Sequence, residues 1–328
     1  MHALHIVGYF QPYQLTWSYF LSQLVAGLTL GSLYALIALG YSMVYGILKL
    51  LNFAHGEVFM IGSYIGYFVL VALGGAANPS VPVALLIILM FGAAMIGSGV
   101  LGVVIERFAY RPLRDAPRIA PLISALGVSF FLQNSALLLF GAEIRSYDSA
   151  GLANGHYAFP QYGIQWGPLQ LSIIRILTMG LAVVICIALT QLIARTQLGK
   201  AMRATAYDRE AAMMMGINTD RVIASAFFIG SAIAGAAGVM FGLAFDNIFH
   251  LIGFENGLKA FTAAVIGGIG SIPGAALGGL VVGLAESYST GYIPNGTTFQ
   301  DLWVFSLLIL VLLIRPTGLL GKADITKV

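Results

Sequence analysis

Charged residues are scarce in this chain. They make up 9% of its 328 residues, whereas an average soluble domain has roughly 25%. A soluble protein of this length needs a solvated surface, and so few charged side chains cannot cover one. With 59% of the residues hydrophobic, the composition predicts an all-α polytopic membrane protein that contacts the lipid bilayer along its length.

Motifs for catalysis and metal binding are also missing. The single cysteine, Cys186, excludes an intrachain disulfide. The five histidines are scattered, and the sequence has no His-x-x-Glu-His or paired-cysteine pattern for a metal ion. A phosphate-binding G-x-x-x-x-G-K-[ST] loop is absent as well. We therefore expect this chain to be no enzyme and to bind neither a metal nor a cofactor. If transport is driven by ATP and Mg²⁺, partner subunits must supply the ATPase.

The basic residues are clustered. Of 16 lysines and arginines, 12 fall in three short stretches that each adjoin an apolar run. They are Arg107, Arg111, Arg114 and Arg118; Arg195, Lys200, Arg203, Arg209 and Arg221; and Arg315, Lys322 and Lys327. This is the positive-inside pattern of cytoplasmic loops, and it favours membrane topology over a nucleic-acid partner. The loops 76–81, 141–170 and 246–256 are then external.

Apolar segments of membrane-spanning length fill most of the chain. They lie near 17–48, 56–75, 82–105, 119–140, 171–194, 223–245, 257–290 and 300–314. The run 17–48 would form a helix of roughly 48 Å, too long for one upright span. The run 257–290 begins and ends outside, yet contains GGIGSIPG, in which Gly267, Gly268, Gly270 and Pro273 break a helix. We predict a single permease domain over 1–328 with about 8–10 transmembrane segments, including broken or re-entrant helices.

Two glycine-punctuated stretches resemble each other. LLNFAHGEVFMIGSYIG (50–66) and GIGSIPGAALGGLVVG (268–283) both follow an apolar run and lead into a helix rich in small residues. In each helix a Gly-x-x-x-Gly pair is suited to close helix packing. Paired interruptions in two halves of a transporter indicate a translocation site, so a two-half pseudo-repeat is one interpretation.

Polar residues inside apolar runs are candidate functional residues, because burying them in hydrocarbon is costly. The candidates are Asn52, His55, Glu57, Gln133, Asn134 and Lys259. His55 and Glu57 either lie on the transport path or begin a helix at the cytoplasmic surface. Interhelical hydrogen bonding is the favoured role for Gln133 and Asn134, and extension to the outer interface for Lys259.

The basic stretch 195–222 contains a short motif with a mechanical meaning. Glu210-Ala211-Ala212-x-x-x-Gly216 matches the E-A-A-x-x-x-G pattern of the coupling loop in ABC importer permeases. Such a loop needs a short rigid helix, which alanines favour and which Gly216 could end. Met213, Met214 and Met215 would supply adaptable apolar contacts. The alternative is an ordinary amphipathic cytoplasmic loop.

The chain resembles LivH-type permeases of the high-affinity branched-chain amino-acid ABC importers. The blocks that carry the resemblance are GLTLGSLYALIALGYSMVYGILKLLNFAHGEVFMIGSY (27–64), ERFAYRPLR (106–114), ISALGVSFFLQN (123–134), MGINTDRVIA (215–224), KAFTAAVIGGIGSIPGA (259–275) and LLILVLLIRPTGLLG (307–321). They follow the family's order over nearly the full length, and the loop 141–170 resembles it least.

The resemblance implies a bacterial inner-membrane subunit that imports Leu, Ile and Val. Its expected partners are a homologous second permease, with a heterodimer favoured over a homodimer, two ATPase subunits and a periplasmic amino-acid-binding protein. We hypothesise that NFAHG, which includes Asn52, Phe53 and His55, borders the path together with GGIGSIPG. Two alternatives stay open: import of another amino acid, an amide or urea on the same scaffold, and an ion-coupled secondary transporter or channel.

Overall fold

The computed structural model describes residues 16–114, 116–117, 119–154, 162–166 and 169–321. The α-helices, in order, are α1 (Trp17–Leu48), α2 (His55–Ala72), α3 (Val83–Ile105), α4 (Ile119–Phe140), α5 (Ser149–Asn154), α6 (Ile173–Arg195), α7 (Gln197–Tyr207), α8 (Arg209–Met214), α9 (Thr219–Phe245), α10 (Ile252–Gly267), α11 (Ile272–Tyr292) and α12 (Gln300–Ile314). Helix α3 continues into a π-helical turn (Glu106–Tyr110) and a 3-10 turn (Arg111–Leu113). Within the described residues, α1, α2, α3, α4, α6 and α9 are long and apolar enough to cross a membrane. The predicted all-α polytopic fold is confirmed.

Helix α1 is the central element of the bundle. It begins at the N-cap Thr16, whose side chain accepts a hydrogen bond from the Tyr19 N–H, and ends at Lys49, which adopts a left-handed backbone with φ 55°. Its residues from Leu33 to Val44 are all buried. Helices α6, α9, α10 and α11 all contact it. The overlong run 17–48 is therefore one continuous helix enclosed by others.

We call the end of the bundle where α1, α6 and α12 finish, and where α2, α4 and α9 begin, the basic end. The positive stretches gather at this end. Arg111 and Arg114, which follow α3, form ion pairs there with Asp220 at the start of α9. Arg118, Lys322 and Lys327 lie outside the described residues. The clustering agrees with the predicted placement of these stretches on one side of the membrane.

Small residues let the central helices approach closely, as the Gly-x-x-x-Gly pairs predict. A Cβ atom added at Gly62 of α2 would meet the backbone of Gly235 in α9. One added at Gly283 of α11 would meet the backbone of Gly31 in α1. Each of the two similar stretches thus packs its small-residue helix against a long helix of the core, and the pseudo-repeat stays a prediction.

The run 257–290 is broken as predicted. Helix α10 ends at Gly267 and α11 begins at Ile272, and the residues between include Gly268 and Gly270 with φ of 105° and 91°. The segment after α12 closes the end of α10. There the backbone N–H groups of Leu319 and Leu320 donate to the Ile266 and Gly267 carbonyls at 2.8 and 2.9 Å. These bonds satisfy carbonyls that a helix end leaves without partners.

The predicted external loop contains structure that the sequence did not reveal. Strands β1 (Tyr162–Trp166) and β2 (Leu169–Ser172) form an antiparallel hairpin that leads into α6. Ahead of it, Arg145 and Ile248 exchange two backbone hydrogen bonds of 2.9 Å. The buried Tyr147 hydroxyl donates to the Ser63 carbonyl of α2. These contacts attach the loop to α2 and to the segment after α9 at this end of the bundle.

Helices α4 and α6 lie at the periphery. Their outward faces carry exposed large apolar side chains, including Phe131 and Leu138 of α4 and Val183, Val184 and Ile187 of α6. Exposed apolar helix faces of this extent suit contact with lipid tails or with another membrane-embedded chain.

Candidate functional site

A cavity of about 670 Å³ opens at the basic end. It lies between the last turns of α1 and α6, helix α7 and the α10–α11 break. Apolar side chains form much of its wall, among them Ile47 of α1, Ile193 of α6 and Met202 of α7. Gly270 and Pro273 of the break line it as well. The predicted break thus faces a cavity, which is where non-helical backbone is tolerated at membrane depth.

Gly267 and Gly268 have a packing role at this break. A Cβ atom at Gly267 would overlap the Gly274 carbonyl, and one at Gly268 would overlap the backbone of Gly321. Both residues thus hold α10 against α11 and the C-terminal segment, and neither lines the cavity. Of the four break residues singled out in the sequence, the cavity brings together Gly270 and Pro273.

Asn52 and Phe53 lie in the turn between α1 and α2. The Tyr110 hydroxyl is 3.1 Å from the Asn52 side-chain oxygen and 3.0 Å from the Leu51 carbonyl, and it donates to both. The Phe53 ring packs on Phe261 of α10 with 5.6 Å between ring centres. These contacts fix the turn to the end of α3 and to α10, at a distance from the large cavity.

His55 and Glu57 occupy the first turn of α2, as the capping interpretation expects, but both side chains are buried inside the protein. The imidazole fills the space left by Gly40 of α1 and meets the Tyr41 ring edge-on at 4.8 Å. The Glu57 carboxylate accepts a hydrogen bond of 3.1 Å from Ser129 of α4. Neither residue is exposed at the basic surface, and neither lines the large cavity.

Close to Glu57 is a second, far smaller cavity of about 10 Å³. Tyr41, Phe53 and Ser129 are among the residues that line it. Its volume is close to the minimum for a single water molecule. The space beside Glu57 is therefore too small for a substrate, and the carboxylate is held by its hydrogen bond with Ser129.

Gln133 and Asn134 are on the peripheral helix α4. Asn134 is exposed, and its amide donates to the Phe130 carbonyl of the same helix at 2.7 Å. Gln133 is half-buried. The structure does not bring either residue near the break or the turn at Asn52. The hydrogen bond of Asn134 lies within α4, whereas the sequence favoured a bond between helices.

Lys259 belongs to a cluster of charged side chains, and it is the one member that was a candidate residue in the sequence. The Lys259 ammonium is 2.7 Å from the Glu286 carboxylate of α11 and 3.0 Å from Asp301 of α12. The Tyr34 hydroxyl of α1 donates to the other Glu286 oxygen at 2.8 Å. Lys259 therefore pairs inside the bundle instead of extending to the outer interface. Glu286, a lone acid within an apolar helix, was a signal that the sequence analysis missed.

The stretch 195–222 forms two short helices joined at Asp208. Asp208 ends α7 and caps α8, where its carboxylate accepts the Ala211 N–H at 3.0 Å. Gly216 follows with φ 80° and ends the turn, as predicted. Glu210 is exposed in the first turn of α8, Ala211 is half-buried and Ala212 is buried. The motif is thus a short, capped helical projection at the basic end.

The exposed side of this projection is apolar. Met214 and Met215 are each 82% exposed, and Met213 and Tyr207 are exposed beside them. We call these four residues the methionine surface. Large apolar side chains gathered at a polar membrane surface indicate a protein contact, and methionines adapt readily to a partner.

Ion pairs connect this projection to the turn after α3. The buried Arg114 guanidinium pairs with Glu106 and, at 2.5 Å, with Asp220 at the start of α9. Arg111 pairs with the same Asp220, and Arg209 of α8 lies 3.9 Å from it. The ERFAYRPLR turn and the E-A-A segment therefore form one charged assembly at the basic end.

Relatives of the chain are permease proteins of amino acid transport systems. The high-affinity branched-chain amino acid transport system permease protein BraD of Pseudomonas aeruginosa is 46% identical over 310 residues, 94% of this chain and 98% of that protein. The permease protein LivH of Escherichia coli K12, from a system of the same description, is 46% identical over 313 residues with the same coverage, 94% and 98%. The permease protein LivM of Salmonella typhimurium is 24% identical over 308 residues, 89% of this chain and 68% of that protein. No solved structure matches the chain.

The family described as the permease component of the branched-chain amino acid transport system matches residues 23–315. That range contains the α1–α2 turn, the E-A-A segment and the α10–α11 break. Since the match spans most of the chain and the two 46% relatives are covered almost completely, this multi-pass membrane protein belongs to the family of branched-chain amino acid transport system permease components.

Proposed function

We propose that the protein is the membrane-spanning subunit of an ABC importer that takes up Leu, Ile and Val. A periplasmic amino-acid-binding protein would deliver the substrate, and two partner subunits would hydrolyse ATP with Mg²⁺. The names of the 46% identical relatives support the substrate class. The methionine surface on the E-A-A projection is the observation that supports a subunit driven by partners.

We place the protein in the inner membrane of a bacterium, with the basic end facing the cytoplasm. Its proposed permease partner is a homologous chain, in a heterodimer. The similarity to LivM, the other kind of permease protein among the relatives, supports this pairing. The exposed apolar faces of α4 and α6 leave room for such a chain within the membrane.

In the proposed coupling, the ATPase subunits push on α8. Glu210, Ala211, Ala212 and Gly216 shape this helix, and the methionine surface makes the apolar contact. Displacement of α8 reaches α9 through the short connection 215–218 and reaches the turn after α3 through Asp220 and Arg114. Rigid, hydrogen-bonded and ion-paired connections suit this task because they transmit movement instead of absorbing it.

In the proposed path, the cavity beside Gly270 and Pro273 is the route of the substrate at the basic end. Backbone at a helix break offers donors and acceptors for carboxylate and ammonium groups. Asn52, Phe53, His55 and Glu57 are assigned a supporting role: they fix the α1–α2 turn behind this route. Glycine and aliphatic walls would let Leu, Ile or Val pass without tight binding.

The test is reconstitution of the full importer in proteoliposomes with radiolabelled leucine and its binding protein. We expect uptake that requires ATP and that is competed by isoleucine and valine. Uptake driven by a proton gradient without ATP would overturn the proposal in favour of an ion-coupled transporter. Competition by urea or an amide, with none by valine, would move the chain to another substrate class.

A matched pair of charge reversals tests the role of the E-A-A segment in the same preparation. Glu210→Lys is expected to weaken co-purification of the ATPase subunits and to lower uptake. Glu143→Lys places the same change on an exposed residue at the opposite end of the bundle and should leave co-purification of the ATPase subunits unchanged. Equal behaviour of the two variants would remove Glu210 from the coupling contact.

A further inference from the structure

The cavity at the basic end has the features of a binding site and not only of a passage. We propose that it binds one free zwitterionic aliphatic amino acid, with the carboxylate held by Arg203 and the start of α11 and the side chain held by the apolar wall. The identity of the ligand rests on the proposed import of Leu, Ile and Val. Its volume of about 670 Å³ lies within the roughly 300–1,000 Å³ of small-molecule sites.

Two basic residues line the cavity, Arg203 of α7 and Lys49 directly after α1. The Arg203 guanidinium is oriented by a hydrogen bond to the Ile193 carbonyl. Helix α11 begins at Ile272, which also lines the cavity, after Ser271, whose hydroxyl accepts the Gly274 N–H at 3.3 Å. A helix N-terminus and an arginine both favour a carboxylate, and their contributions act in the same direction.

One helix end supplies the opposite polarity. Helix α1 finishes at the cavity, and the last carbonyls of a helix carry partial negative charge that favours an ammonium group. At the end of α6, the Ile193 carbonyl already accepts from Arg203. Gly46 in the last turn of α1 has no side chain to cover its backbone. The nearest atom to a Cβ added there is the Gly270 carbonyl oxygen at 3.6 Å, so the space beside it is open.

Ser42 gives an independent indication of a missing polar partner. It lines the cavity, is 1% exposed, and its hydroxyl has no hydrogen-bond partner among the described residues. Earlier on the same helix, Thr29 and Ser32 bond to the carbonyls of Val25 and Leu28 at 2.8 and 2.7 Å. A buried hydroxyl without a partner is unfavourable, and a polar group of a ligand in the cavity would satisfy it.

The position of the site connects it with the coupling segment. Met202, Arg203 and Ala206 belong to α7, which ends at Tyr207, one residue before the cap of α8. A molecule bound here touches both the α10–α11 break and the helix that precedes the E-A-A projection. The site is therefore placed to hold an imported amino acid before its release.

Equilibrium binding of radiolabelled leucine tests the proposal. The full-length chain with its partner subunits is placed in nanodiscs, without the periplasmic binding protein. We expect saturable binding of one leucine per chain. Leucinol, which lacks the carboxylate, and 4-methylpentanoate, which lacks the ammonium group, should each compete at least tenfold more weakly. The proposal would be overturned if leucinol and 4-methylpentanoate competed as strongly as unlabelled leucine, or if no leucine bound.

Two matched pairs of variants locate the bound leucine. Arg203→Gln keeps a donor for the Ile193 carbonyl but removes the charge, and should weaken binding about tenfold or more. Arg195→Gln removes a charge from an exposed residue that does not line the cavity and should leave binding unchanged. Ala206→Trp fills the cavity and should abolish binding, whereas Gln197→Trp, exposed on the same helix, should not.

Other results separate this proposal from the proposed function. ATP-driven leucine uptake together with undetectable binding at the cavity would overturn the site and leave the importer assignment standing. Leucine binding with the expected variant pattern, but without ATP-driven uptake, would support the site and overturn the importer. Displacement of leucine by phosphatidylglycerol, with no difference between leucine and 4-methylpentanoate, would assign the cavity to an anionic lipid instead.

Discussion

Lys259 and Glu286 form an ion pair inside the helical bundle, with 2.7 Å between Nζ and Oε1. The pair joins the two helices on either side of the break, α10 and α11. Tyr34 attaches it to the central helix α1 through the second Glu286 oxygen. The broken segment is therefore held to the core at a point well away from the break itself.

Removing one partner of this pair should destabilise the protein. Lys259→Met leaves the Glu286 carboxylate buried without its cation, and we expect a loss of about 3 kcal/mol in the free energy of unfolding. Denaturant titration of the protein in detergent measures it. Asp301→Asn removes a carboxylate from the same ammonium, but at a residue that is mostly exposed, so its effect should be below about 1 kcal/mol.

A double variant separates unpaired charge from lost packing. Lys259→Met combined with Glu286→Gln has no buried charge, and the amide oxygen still accepts the Tyr34 hydroxyl. We expect this protein to recover most of the stability lost in Lys259→Met. A double variant as unstable as the single one would show that the ion pair itself, and not an uncompensated carboxylate, provides the stability.

Gly40 and Gly46 lie on the same helix and should respond oppositely to alanine. A Cβ atom at Gly40 would overlap the His55 ring, with the Gly230 carbonyl oxygen 2.9 Å away. Gly40→Ala should therefore cost about 1–3 kcal/mol. Gly46→Ala has space and should be neutral or stabilising by up to about 1 kcal/mol, because alanine favours a helix. Thermal unfolding of the two variants side by side measures this difference.

The His55 contact can be checked by compensation. If the overlap with the imidazole causes the loss in Gly40→Ala, adding His55→Ala should cost less in that background than in the unchanged protein. Additive losses would place the strain at Gly230 instead.

Arg114 and Arg111 both pair with Asp220 but differ in burial. The side chains of Arg114 and Glu106 are each 3% exposed, whereas that of Arg111 is 41% exposed. Arg114→Ala leaves Glu106 buried and unpaired, so we expect a loss of about 3 kcal/mol. Arg111→Ala should cost less than about 1 kcal/mol. Unfolding in detergent distinguishes the two, and equal losses would contradict the assigned role of burial.

The methionine surface should lose its partner when it is made charged. Met214→Glu puts a carboxylate into the proposed apolar contact and should weaken binding of the ATPase subunits about tenfold or more. Affinity between the purified permease and the ATPase subunits is the measurement. Gln197→Glu, on α7 outside this surface, is the control and should bind as the unchanged protein does.

Much of the fold was accessible from the sequence because membrane helices are specified locally. The bilayer requires long apolar runs, and glycine and proline mark where those runs stop. The bounds of α3, α4, α6 and α12 agree closely with the predicted segments. The break at 268–271 was likewise predicted, since no continuous helix accommodates its glycines and proline within a segment that returns to the same side.

Only part of the candidate site could be predicted from the sequence. The sequence singled out Gly267, Gly268, Gly270 and Pro273 together, but their distances to other helices decide their roles. Gly267 and Gly268 face backbone, while Gly270 and Pro273 face the cavity. Ser42 was not singled out and Arg203 was assigned only to a basic stretch, because their shared cavity joins segments about 160 positions apart in the chain.

The sequence by itself determined the membrane class, the helical segments, the basic end and the position of the E-A-A turn, because hydropathy, charge asymmetry and helix breakers act over short stretches. Only the tertiary structure decided that His55 is buried against Gly40 and that Lys259 pairs with Glu286. It also showed that the break opens into a cavity beside α7. Those outcomes depend on which helices pack together, and the energy of burying a polar group depends on the partner that the packing brings to it.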